Sequence, residues 1–109
     1  MTNYQAGDLV LIAFPYAGGG QSKVRPALVL LDTGDADLIV ARVTTQRPAT
    51  PFDVDLVGWK QAGLLGPSVV RLHKLATLEK ALVNRLIGHI EAGDRQKVAA
   101  VLKQTFGAW

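Results

Sequence analysis

The 109-residue sequence contains no cysteine, so neither a disulfide nor a thiolate metal site can contribute to it. This composition fits a protein that works in a reducing cytoplasm. Histidine is scarce as well, with two residues, and without thiolates a zinc site is not expected. Long apolar runs are missing. The longest, Leu9 to Ala17, is interrupted by Pro15 and falls far short of the roughly 20 residues that span a bilayer. No basic segment followed by an apolar one opens the chain, so no secretion signal and no membrane partner are expected. Gly18–Gly20 is not followed by the Gly-Lys-Ser/Thr of a nucleotide-phosphate loop. No linker, repeat or low-complexity tract divides residues 1–109, which leaves room for one domain.

The hydrophobic content of 49% is sufficient for a core at this length. The net charge of +3 is modest, but it is unevenly placed. Residues 1–57 hold four Lys/Arg against six Asp/Glu, whereas residues 58–109 hold eight against three. The basic excess of the second half is where contacts to phosphates are expected.

The first half reads as short strands separated by turn residues. Asp8–Phe14 is apolar and stopped by Pro15, and Ala17–Lys23 is a glycine-rich loop. Pro26–Leu31 is apolar on both faces, which predicts a central strand. After a turn at Asp32–Asp37 comes a third strand, Leu38–Val43. In Phe52–Val57, Phe52, Val54 and Leu56 alternate with Asp53 and Asp55, so the aspartates face away from the core. Gly58–Pro67 is a loop with one helical turn around Trp59–Ala62. Ser68–Leu72 is a strand, Thr77–Ala81 a short turn, and Val83–Ile90 the last strand. After Gly93 a helical period begins: Val98, Val101, Leu102 and Thr105 share one face, with Arg95, Lys97 and Lys103 largely off it. Gly107 stands at the expected helix C-terminus. The pattern predicts a mainly β protein with a C-terminal α-helix, in which a small, partly open barrel packs on that helix.

Several segments, in order, resemble the MazF/PemK/Kid toxins. They are Gly7–Asp8, Lys23 to Leu30 with its Arg25–Pro26 pair, Val43–Thr44–Thr45–Gln46, Pro51 to Val54, and Ala62–Gly63–Leu64 followed by Ser68 to Leu72. The segment from Leu75 to Leu86 and the C-terminal helix fit in length and pattern, so the likeness spans nearly the whole chain. The resemblance implies an SH3-like, plug-like barrel that forms a homodimer. It also implies sequence-specific cleavage of single-stranded RNA, chiefly messenger RNA, without metal or other cofactor. A cognate antitoxin would hold the toxin in check, and DNA would be met only through an antitoxin complex. A sister branch on the same fold poisons DNA gyrase instead, so fold alone does not decide the activity.

Metal-free RNA cleavage needs a base for the ribose 2′-OH, cations for the charge on phosphorus, and an acid for the departing 5′-oxygen. It yields a 2′,3′-cyclic phosphate and a 5′-OH end. Arg25 precedes Pro26, which holds it in extended backbone at the mouth of a strand. By likeness to the family's Arg-Pro position it stabilises the transition state, through a guanidinium that grips phosphate with two parallel bonds. Thr44 matches the family's functional hydroxyl, with Thr45 as the fallback, and Gln46 positions RNA. Arg71 and His73, two residues apart, point to one face of a strand. The Kid branch carries Arg-x-Asp here, with the arginine as general acid and the aspartate as general base. Arg71 matches, and His73 stands in the aspartate's place with a side chain that titrates near neutrality.

A second departure lies in the Ala17–Lys23 loop, where Gly19 and Gly20 stand where family members often carry Glu or His. The loop reads as a mobile flap over the groove, with Lys23 and Gln21 touching RNA. Trp59, in a loop, is a candidate for base stacking, while His89 in its apolar strand reads as structural. The alternative to an endoribonuclease is a non-cleaving binding protein on the same barrel, either a gyrase poison or a degenerate toxin.

Overall fold

The computed structural model describes residues 3–15 and 22–109. Six strands, β1 (Asp8–Pro15), β2 (Ser22–Asp32), β3 (Asp37–Thr44), β4 (Asp53–Leu56), β5 (Ser68–Glu79) and β6 (Val83–His89), precede one helix, α1 (Ala92–Phe106). They form one sheet in the order β4-β5-β3-β2-β1-β6, with neighbouring strands antiparallel. The sheet does not close, so β4 and β6 are its edges. β2, apolar on both faces, lies in the interior of the sheet as its sequence predicts.

Two expectations are corrected. β2 starts at Ser22, so Lys23 belongs to a strand and not to the loop before it; Phe14 pairs with Lys23 and extends the hairpin. The strand expected at Ser68–Leu72 runs on to Glu79, and the turn that follows is a single 3-10 turn at Lys80–Leu82. Polar Lys74 and Thr77 interrupt its hydrophobic pattern, but both lie exposed on β5 beyond the stretch that pairs with β4.

The register explains how the sheet makes two cores. Opposite residues share a face, so Leu9, Leu28, Ala41, Val43, Val54, Leu56 and Val70 face the helix side. There they pack with Val98 of α1, and Trp59, Val101 and Leu102 lie against the same cluster. The opposite face carries Val10, Ile12, Ala27, Val29, Leu38, Val40 and Leu78. The sheet curls over these, with Tyr4, Phe14 and Val83 packed alongside. Close approach is built in where β6 passes the Trp59 loop: a Cβ on Gly88 would overlap the Ala62 carbonyl oxygen.

β5 is broken in the middle. Ala41 of β3 faces Leu75, yet the next residue, Arg42, faces Arg71, so three residues of β5 have no counterpart on β3. Such a bulge bends a strand and re-aims its side chains. Those three are Leu72, His73 and Lys74. The helix is tied down by Asp94, which is 3% exposed and accepts from the backbone N–H groups of Val57 (3.1 Å) and Gly58 (2.8 Å). Among the described residues no helix is long and apolar enough to cross a membrane.

Candidate functional site

Beyond the second core, the sheet face away from the helix turns polar. Val10 of β1 faces Ala27, Ala27 faces Arg42, Arg42 faces Arg71, and Arg71 faces Asp53, so these five lie in one row on one face. Arg25 and Thr44, two residues along from Ala27 and Arg42, share that face. Arg25 and Arg71 are therefore carried by strands two apart, with β3 and its Thr44 between them.

Arg71 is held from two sides. Its Nη1 donates to Gln46 Oε1 at 3.3 Å, and its Nε lies 3.4 Å from Asp53 Oδ1 as an ion pair, not as an aligned hydrogen bond. Gln46 is fixed in turn by its own N–H, which donates to Thr44 Oγ1 at 3.2 Å. The second oxygen of Asp53 accepts from the N–H groups of Ala49 (2.8 Å) and Thr50 (3.0 Å), which anchors the loop between β3 and β4. The Asp53 side chain is only 1% exposed. Burial pushes its carboxyl up, but the N–H groups of Ala49 and Thr50 and the charge of Arg71 outweigh that and leave it below the ordinary aspartate range. An ionised Asp53 keeps the guanidinium in place, on a side chain that is 18% exposed.

His73 sits in the β5 bulge, half-buried, with its ring 5.2 Å from that of Phe52 and tilted by 41°. Its Nδ1 is buried and has no hydrogen-bond partner among the described residues. Phe52 is fixed by a backbone bond from Leu72 N–H to its carbonyl oxygen (3.0 Å), so the β4 entry and the β5 bulge together set the imidazole.

The structure brings Arg71, Thr44 and Gln46 into one bonded network, with His73 on the strand that carries Arg71. Arg25 and exposed Lys23 lie on neighbouring β2, and exposed Thr45 adjoins Thr44 at the rim. Trp59 is not part of this group; it packs against the helix-side core. Gln21 and the glycines of the expected flap lie outside the described residues. His89 joins Asp8, with Nδ1 2.9 Å from the carboxylate, and so bridges the ends of β1 and β6. Three residues escaped the reading of the sequence: Arg42, Asp53 and Phe52. The alternation of β4 does put Asp53 on the polar face, and that signal was available. No three His, Cys, Asp or Glu among the described residues could together hold a metal ion.

Comparison with known proteins gives the likeness a family. Matched by sequence against curated proteins, the chain has no significant relative. Among solved structures, a mycobacterial endoribonuclease superposes with a TM-score of 0.78 at 19% identity, covering 100% of this chain and 97% of that one. MazF from Deinococcus radiodurans gives 0.74 at 27% identity, covering 95% and 96%. The Mycobacterium tuberculosis toxin MazF-mt6 gives 0.75 at 22%, covering 94% and 99%. The family model for PemK-like, MazF-like toxins matches residues 5–106. The chain belongs to the PemK-like, MazF-like toxins of type II toxin–antitoxin systems.

Proposed function

We propose that this chain, acting as one toxin domain and as a homodimer, is a sequence-specific, metal-independent endoribonuclease for single-stranded RNA, restrained by a cognate antitoxin. The observation that carries the reading is the Arg71 clamp: a cation pinned by Asp53 and Gln46 beside Thr44, on the strand that bears an imidazole nitrogen without a partner. Solved relatives described as an endoribonuclease with its cognate antitoxin and as MazE–MazF complexes support both the activity and the partner.

In this reading His73 takes the proton of the ribose 2′-OH, and the freed oxygen attacks the adjacent phosphorus. Arg25 and Arg71 stabilise the charge that builds on the phosphoryl oxygens, and the Thr44 hydroxyl donates to the same group. The P–O5′ bond breaks and the departing oxygen takes a proton from solvent water, leaving a 2′,3′-cyclic phosphate and a 5′-OH. Asp53 holds Arg71 as a cation, which favours an electrostatic role for it over proton donation. The dimer is supported by an apolar groove between the end of α1 and the sheet, lined by Leu30, Ile39, Leu75, Leu102 and Phe106.

The test is incubation with long single-stranded RNA in EDTA, followed by analysis of the fragment ends. Discrete cuts with 5′-OH ends are expected. Intact RNA would shift the reading to a binding protein on the same barrel.

A further inference from the structure

Arg42 is the one arginine of the polar row whose surroundings do not account for it. Residues directly opposite on neighbouring strands stand within about 4.5–5.5 Å at Cβ, where like charges repel. Arg42 faces Arg71 in this way, and on its other side it faces Ala27, which offers no polar atom. The single buried carboxylate of the row, Asp53, is one strand further on and committed to Arg71. Asp55, the next acid on β4, is exposed and faces Val69. Arg42 Nε is nevertheless buried, and it has no hydrogen-bond partner among the described residues. A buried N–H donor on a charged group is costly to leave unmade. Its retention beside a second arginine is explained if an anion completes it.

We propose that Arg42 binds a second phosphate of the RNA strand, next to the one held over Arg71 and Thr44. The inference rests on the ribonuclease reading above. A two-residue step along a strand is about 6.6 Å, comparable to the separation of neighbouring phosphates in a single strand. Arg42 and Thr44 are one such step apart on one face. With Nε buried, the base of the guanidinium is held in place, and its two terminal nitrogens match the non-bridging oxygens of a phosphodiester in two parallel bonds. The role is one of holding substrate, uniform over base sequence, because a phosphate contact reads no base.

The test is binding of a short, mixed-sequence single strand with 2′-fluoro sugars, which cannot be cut, across a range of salt. The parent and Arg42→Met are compared after both are shown to be folded by circular dichroism. Loss of one phosphate contact is expected to reduce the slope of log K against log salt by about 0.7. Arg42→Lys, which keeps the charge and secures the test should the methionine variant not fold, is expected to keep the slope and bind more weakly. Slopes and affinities equal to the parent's in the variants that fold would overturn the proposal. An unchanged slope with weakened antitoxin binding would overturn it too, and would assign Arg42 to a carboxylate of a protein partner. A parent that binds no strand at all would instead sink the ribonuclease reading, a distinct outcome.

Discussion

At the scale of single residues, the site depends on who holds Arg71 and who leaves His73 alone. Asp53 is nearly sealed from solvent and spends one oxygen on the β3–β4 loop and the other on Arg71. Asp53→Asn keeps the shape but removes the charge. It should lower the cleavage rate while loosening the loop at Ala49 and Thr50, and amide hydrogen exchange at those two positions would report the second effect. His73→Ala should slow cleavage by about 10²–10⁴-fold if the imidazole is the base, with a smaller loss demoting it to substrate contact. Arg25, Thr44, Arg71 and His73 stand out in the sequence by their places in family-like motifs, and the last two also by their spacing of two. Arg42 stayed hidden because an arginine within an apolar strand looks like an ordinary exposed position. Only the pairing across β5 sets it against Arg71.

At the scale of elements, strand alternation was legible and strand length was not. β1, β3 and β6 lie close to where their apolar runs put them; β1 and β3 bury residues in both cores, so a run marks them where alternation marks β4. β5 hid its second half because polar Lys74 and Thr77 fall beyond the stretch that pairs with β4, and a bulge cannot be read from composition. That bulge aims His73, so the least legible element is the one on which the proposed chemistry turns. The helix face of Val98, Val101 and Leu102 was plain in the sequence, whereas the burial of Asp94 was not. Its carboxylate accepts two backbone N–H groups at the end of β4, a long-range partnership that no local pattern encodes. Asp94→Ala leaves both donors unmatched and should cost roughly 2–4 kcal/mol of folding stability, measurable by urea unfolding. A cost below about 0.5 kcal/mol would show that water replaces the carboxylate without penalty.

At the scale of the whole molecule, charge is divided between structure and substrate. Asp32, at the end of β2, binds Lys80 at 2.8 Å and also accepts from the N–H groups of Tyr4 and Gly34. The Lys80 bond first, and then those backbone donors, bring its carboxyl down to about 2 from the ordinary 3.8. A depressed carboxylate contributes stability above its unfolded pKa and loses it as the pH falls through the folded one. Acid unfolding of the parent should therefore carry a component between about pH 4 and pH 2, and Asp32→Asn should remove it. In the row that holds Arg42 and Arg71, Asp53 is the one carboxylate. A face built in this way is suited to a polyanion. The most direct test of the account is cleavage of single-stranded RNA by Arg25→Ala beside the parent, at equal folded concentration. The account predicts that the variant melts as the parent does and does not cut. A variant that cuts at the parent's rate would show that the reaction takes place elsewhere on the molecule.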